Sequence, residues 1–504
     1  MNESIVLTTL NARYMHSAFG LRYLYANLGE LQARARIMEF TIQQRPIDIV
    51  EQLLLLQPKI IGFSVYIWNV TEITQVIELL KKLSPTTTLI VGGPEVSFAD
   101  DLPGLTELVD YVITGPGEIS FRELCSDLLK RRPIAMNLIA GKTCDLDALE
   151  LPYAYYSDED LRNRLIYVEA SRGCPFKCEF CLSSLDKTAK PFELSSFLAA
   201  MDDLYRRGAR NFKFIDRTFN LKVSSSVAIL EFFLQRIDDD LYLHFEVIPD
   251  FLPAKLKQVL TRFPPGSLQF EIGVQTFDPD IQQTISRRQD NAKTCANLCW
   301  LREHTGAHIH ADLIFGLPGD SLANFAESFD QLVGLKPQEI QLGILKRLRG
   351  APLNRHNAEF ELCYNPAAPY NILSTRDIDF ATMQRVNRLA RFWDMIGNSG
   401  RFRQTLPLIL EQQPFNNFIE LSDCLYRLAG SSWKISLRRL FSLLFEVLSE
   451  HMNREPGQVR AVLEADFAHS GQKGKLEFEA PRLEVVSGTG VANKRQRQHD
   501  RNSA

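Results

Sequence analysis

The chain has 504 residues, of which 45% are hydrophobic and 23% charged, with a net charge of −4. That is the composition of a soluble globular protein of about three domains, with no general attraction to nucleic acid. No apolar run reaches the ~18–20 residues of a membrane span. Nine cysteines, in a chain that opens on an apolar strand instead of a signal peptide, imply a reducing cytoplasm and no disulfide framework.

Residues 1–135 alternate short apolar strands (Ile5–Thr9, Ile60–Ser64, Thr88–Val91, Tyr111–Thr114) with amphipathic helices around Leu21–Leu31 and Val70–Leu83. This alternation predicts a Rossmann-like α/β domain: a parallel sheet with crossover helices, binding ligands at the carboxyl ends of its strands. The loops there are Ser64-Val65-Tyr66-Ile67-Trp68-Asn69, Gly92-Gly93-Pro94-Glu95 and Gly115-Pro116-Gly117-Glu118. Their glycines let backbone approach a ligand closely, although ordinary tight turns use them too. Residues 136–164 read as a linker, with Tyr153, Tyr155 and Tyr156 expected to pack between domains.

Residues 165–355 carry six further strand–helix units, with strands expected at Leu165–Ala170, Asn211–Ile215, His244–Ile248, Leu268–Val274, His308–Phe315 and Glu339–Leu345. The loop after the first reads Ser-Arg-Gly-Cys-Pro-Phe-Lys-Cys-Glu-Phe-Cys, which sets Cys174, Cys178 and Cys181 in a C-x3-C-x2-C spacing. A 4Fe–4S cluster is usually held by four thiolates. Three leave one iron open for a small molecule. Zinc sites use paired C-x2-4-C units and four ligands, and no second pair lies nearby; incidental buried cysteines are the other alternative. Here the chain resembles the radical S-adenosylmethionine (radical SAM) superfamily, whose open iron is chelated by SAM. Phe180, just before the last cysteine, fits that pattern.

The six units resemble the partial (β/α)6 barrel of that superfamily, with its chemistry at the carboxyl ends of the strands. Strand alternation puts Glu271, Gly273 and Gln275 on one face, as it does His308, His310 and Asp312, and His244 with Glu246. A polar lumen follows. Segments Phe214–Asn220, Glu271–Phe277 and Asp312–Asp320 resemble the second, fourth and fifth strands of cobalamin-type members. The resemblance implies SAM contacts from Phe180, Asp216, Glu271, Gln275 and Asp312, and from the backbone of Gly316 and Gly319. Asp216 could instead cap a turn, and Glu271 and Gln275 could bond barrel neighbours.

Ahead of this core, the three glycine-bearing loops resemble the cobalamin-binding domain found in many members. That resemblance implies cobalamin contacts from Asn11, Ser64, Tyr66, Gly92, Gly93, Pro94, Glu95, Gly115, Gly117 and Glu118. The D-x-H-x-x-G motif that ligates cobalt is missing. His16, the only histidine before His244, is expected to hydrogen-bond near the start of a helix.

Residues 356–485 are helical by pattern, as at Asp377–Ile396 and Ser436–His451, and resemble an uncharacterised C-terminal domain of one cobalamin-dependent subgroup. Residues 486–504 lack apolar content and are predicted disordered. The whole resemblance implies a 4Fe–4S cluster, SAM and cobalamin methylating an unactivated carbon of a small molecule, with electrons from a reductant such as flavodoxin or ferredoxin. It names no acid, base or nucleophile. Two alternatives stay open: a cobalamin-dependent radical cyclase or rearrangement enzyme without methyl transfer, and a non-catalytic iron–sulfur or cobalamin carrier or sensor.

Overall fold

The computed structural model describes residues 4–474, 476 and 478. The described residues form two compact units: one runs to Asn398 and takes in Gln413–Asn416, the other comprises Ser399–Gln412 and the described residues from Asn417. The tail expected at 486–504 lies outside the described residues. No described helix is long and apolar enough to cross a membrane.

The first unit holds two parallel sheets. One consists of β1 (Ile5–Asn11), β2 (Ala35–Thr41), β3 (Ile60–Ser64), β4 (Thr88–Gly92), β5 (Tyr111–Thr114) and β6 (Leu138–Ala140), in the order β2-β1-β3-β4-β5-β6. β2 and β6 are additions to the strands expected from sequence. Both faces are covered, so the strands are apolar on both sides. Val6, Ile61, Phe63, Leu89 and Val91 pack on Ile73, Ile77 and Leu80. Ile5, Leu7, Ile60, Ile90 and Ile113 pack on Phe121 and Leu124 from the other side. At Gly62 a Cβ would stand 2.7 Å from the Phe121 ring, so this ring takes the place of a side chain on β3.

The second sheet begins with β7 (Ile166–Val168). A short ribbon of β8 (Ser171–Arg172) and β9 (Lys190–Pro191) frames the cysteine loop. Then come β10 (Asn211–Phe214), β11 (Tyr242–Val247), β12 (Leu268–Gln275), β13 (His308–Phe315) and β14 (Glu339–Ile344). The order β14-β13-β12-β11-β10-β7 is all parallel, and its end strands β7 and β14 do not pair. It is a partial barrel of six strands. The expected alternation holds: on β12, Phe270, Ile272 and Val274 are buried while Glu271, Gly273 and Gln275 are only partly so, and β13 repeats the pattern.

Helix Phe380–Ile396, capped by Asp379, belongs to the first unit. The second unit is helical. Its helix Leu437–Glu446 is capped by the Ser436 hydroxyl and followed by a wider turn at Val447–His451. The Phe441 ring sits between Phe402 and Phe467, at 4.6 and 5.2 Å.

Candidate active site

Glycine is required at the entrance to the cysteine loop. Gly173 has φ +92°, and a Cβ there would stand 2.8 Å from the Asp186 carboxyl carbon. The Cys174 N–H donates to the Asp186 carbonyl at 2.9 Å, closing the loop at its base. Cys174, Cys178 and Cys181 are free thiols, partly exposed, and all three line one cavity of about 210 Å³. Burial pushes the Cys174 and Cys178 thiols up, and the Arg287 guanidinium, 3.7 Å from the Cys178 sulfur, pulls the latter back. Among the described residues no three His, Cys, Asp or Glu side chains converge on a point where a single ion could sit. A cluster needs no such point, because each thiolate takes a different iron. Three thiols on one cavity, without a fourth, suit a 4Fe–4S cluster with an open corner.

Phe180, Glu271, Gln275 and Asp312 line the same cavity. Gln275 Oε1 is buried without a hydrogen-bond partner, and Asp312 Oδ1 has only His310 Nε2, at 3.2 Å. A buried acceptor left unpaired is costly, and a ligand carrying hydroxyl or amino donors, as SAM does, would satisfy Gln275. Behind them the lumen is charged. Lys213 and His244 both reach Glu271, at 3.3 and 3.0 Å. Burial alone would raise the Glu271 carboxyl, yet His244 and Lys213 hold it down at about 2. His310 lies 3.2 Å from Asp312 and 3.3 Å from Glu339.

Three expected SAM contacts sit elsewhere. Asp216 is 3% exposed and does not line the cavity; it accepts from the Ala170 N–H at 2.9 Å and the Ser171 hydroxyl at 2.5 Å. Burial pushes its carboxyl up to about 7 despite those two bonds. It thus ties the end of the second barrel strand to that of the first, where the sequence had offered SAM contact or the capping of a turn. A Cβ on Gly316 would meet Ile372 at 2.9 Å and Met383 at 3.1 Å, and one on Gly319 would meet Phe360 at 3.5 Å. Those glycines pack against the following segments and are not among the cavity's lining residues. Arg217, Glu246 and Arg287 also line it, and none of the three was among the expected SAM contacts. Alternation on β11 pointed to Glu246; nothing in the spacing pointed to the two arginines.

A second cavity of about 840 Å³ opens at the carboxyl ends of β1, β3, β4 and β5. Asn11, Ser64, Tyr66, Gly92, Gly93, Gly115, Gly117 and Glu118 line it. Pro94 and Glu95 do not. Glu95 is turned away, accepting from Arg349 and Tyr370, each at 2.8 Å. Trp68 stacks on Tyr66 with ring centroids 4.3 Å apart and also faces the cavity. His16 reaches it too, with Nδ1 2.8 Å from the Tyr167 hydroxyl; burial lowers its pKa. Among the described residues, chain neighbours aside, no heavy atom lies within 4 Å of a Cβ built on Gly115, and that on Gly92 meets only the Ile113 carbonyl at 3.6 Å. Side chains there would fill open space, so the backbone forms a bare cradle of the size large cofactors occupy, which fits a corrinoid. Among the described residues, Arg217 alone lines both cavities. Half of its side-chain surface is open, and one Nη donates to both oxygens of Glu246.

Comparison with known proteins agrees with this division. A family model described as B12 binding domain matches residues 5–125, one described as Radical SAM superfamily matches 168–332, and one described as Protein of unknown function (DUF4080) matches 358–499. The cobalamin-dependent radical SAM methyltransferase TokK of Streptomyces tokunonensis is 23% identical over 350 residues, covering 60% of this chain and 48% of that protein. The 2-(S-pantetheinyl)-carbapenam-3-carboxylate methyltransferase of Streptantibioticus cattleyicolor is 23% identical over 347 residues, covering 59% of this chain and 48% of that protein. The chain thus spans about half the length of these curated relatives. Among solved structures, the radical S-adenosylmethionine methyltransferase TsrM from Kitasatospora setae, with tryptophan and a SAM analogue bound, superimposes with a TM-score of 0.58 at 17% identity. That match covers 73% of this chain and 79% of TsrM, and is a likeness of fold.

Proposed function

We propose that this chain, a member of the radical SAM superfamily with a B12 binding domain ahead of its core, is a cytoplasmic methyltransferase that alkylates an unactivated carbon of a small molecule. The observation that carries the reading is the meeting of two cavities at Arg217, one edged by Cys174, Cys178 and Cys181, the other by the glycine loops of the first sheet. When bound, the cluster with SAM supplies reductive bond cleavage, and the corrinoid supplies a methyl carrier.

The chain supplies position and enclosure. The three thiols hold iron. Gln275 offers its unpaired amide oxygen to SAM, while Phe180, Glu271 and the His310-paired Asp312 flank it. Asn11, Ser64, Tyr66, Gly92, Gly93, Gly115, Gly117 and Glu118 cradle the corrinoid. Arg217 stands where the substrate lies, between the two. Asp216, Gly316 and Gly319 brace the site from behind. Residues 1–135 are assigned to the corrinoid domain, 136–164 to a linker whose first residues add β6 to that domain's sheet, 165–355 to the radical core and 356–485 to a C-terminal domain. A reductant of the flavodoxin or ferredoxin kind delivers the electron.

The test is anaerobic. The reduced protein, reconstituted with iron, sulfide and cobalamin, is incubated with methyl-labelled SAM and candidate substrates. Label in the product supports methyl transfer. A new product without label points to the cyclase or rearrangement reading, and unmodified candidates with no SAM cleavage point to the carrier reading.

A further inference from the structure

Glu179 sits between two cysteine ligands, yet its side chain faces away from them. Cys178, Phe180 and Cys181 line the thiol cavity and Glu179 does not. Its carboxylate is buried, at 4% exposure. It accepts from the Ser286 hydroxyl at 2.5 Å and from Arg355 Nε at 2.9 Å, with a second Arg355 nitrogen at 2.5 Å. His356 Nε2 lies 3.0 Å away. The main chain is held as well. The Glu179 N–H donates to the Ile285 carbonyl, and its own carbonyl accepts from the Leu353 N–H, both at 3.0 Å.

A carboxylate this deep is tolerated only when fully paired, and here the pairing has a direction. The cysteine loop follows β7, one free edge of the partial barrel. Leu353, Arg355 and His356 follow β14, the other free edge. Ile285 and Ser286 come from the segment after β12 and lead directly into Arg287, which touches the Cys178 sulfur. We infer that Glu179 is a positioning residue: a carboxylate clasp that spans the open side of the barrel and fixes the stretch carrying Cys178 and Cys181 from Arg355 and His356. The inference rests on the cluster reading above and assigns those three side chains a part in setting the cluster. The clasp also ends two residues before the DUF4080 match begins at residue 358, so the C-terminal region starts from a point anchored on the cluster loop.

The experiment uses the full chain, reconstituted anaerobically with iron, sulfide and cobalamin. Glu179→Gln keeps the shape and removes the charge; Arg355→Gln and His356→Gln act from outside the loop. The readouts are iron retained after gel filtration, the electron paramagnetic resonance spectrum of the reduced cluster with and without SAM, and the cluster midpoint potential. Corrinoid uptake and the circular dichroism melt report folding. The expected result is a loss of cluster affinity of about tenfold or more in Glu179→Gln, with an altered spectrum and potential, a lesser change in Arg355→Gln, and corrinoid uptake unchanged. Wild-type iron, spectrum and potential in Glu179→Gln overturn the clasp and leave the function standing. If Glu179→Gln does not fold, unaltered cluster properties in both Arg355→Gln and His356→Gln overturn it equally. A wild-type protein that takes up no iron overturns both.

Discussion

Arg217 gives one Nη to both oxygens of Glu246, at 2.7 and 2.9 Å, and in doing so keeps its remaining nitrogens at the junction of the two cavities. Burial pushes the Glu246 carboxyl up and the arginine holds it back, so the pair depends on both partners. Arg217→Gln should uncouple the reaction. The ratio of methylated product to methionine released from SAM is expected to fall about tenfold, the worth of one hydrogen bond from a charged donor. Quantifying both products in a single assay checks it; an unchanged ratio places the substrate elsewhere.

The three thiols and the glycine loops line separate walls. None of Cys174, Cys178 or Cys181 borders the larger cavity. Changing any one of them to alanine should therefore remove most bound iron and abolish SAM cleavage while corrinoid uptake stays near one per chain. Iron analysis and the visible corrinoid spectrum of the same preparation test this. Loss of both cofactors together contradicts it.

The first sheet is locked to the barrel by charge. Arg349 reaches Glu95 at 2.8 Å and Asp101 at 2.6 Å, and Arg347 reaches Asp101 at 2.6 Å. The Glu95 carboxylate is 4% exposed. Among the described residues, Arg349→Ala leaves that charge buried with the Tyr370 hydroxyl as its one side-chain donor. A loss of about 3 kcal/mol in unfolding free energy is expected, as for a broken buried ion pair, measured by urea denaturation.

His310 makes stability depend on pH. Burial would lower its pKa, but Asp312 and Glu339 raise it from 6.5 to about 10. Because the folded value lies above the unfolded one, the stabilisation is fully present below pH 6.5 and is lost as pH rises through 10. The melting temperature of the wild type should exceed that of His310→Gln most clearly near pH 6, and the gap should close toward pH 10. A gap that does not change with pH assigns His310 a neutral role.

The polar lumen was legible from sequence because period-two alternation is local: Glu271, Gly273 and Gln275 announce a shared face without any tertiary knowledge. The cysteine spacing was legible for the same reason. The edge strands were not. In β2, Arg36 is exposed and most other positions are only partly buried, and β6 spans three residues, so neither presents the apolar run of a central strand. Nor could spacing show that Glu95 would meet Arg349, 254 positions on, or Glu179 meet Arg355, 176 positions on. Asp216, Gly316 and Gly319 stand at strand ends as site residues do; only packing shows that the first bonds its neighbouring strand and the others sit against Ile372, Met383 and Phe360.

The shape of the larger chamber depends on an atom the chain does not have. Gly62 and Phe121 both border it, and the ring leaves no room for a β-carbon on β3, which would stand 2.7 Å from it. A single methyl group at position 62 would force the phenyl ring to shift, so the apolar wall met by any guest would be reshaped although no polar group facing that guest had changed.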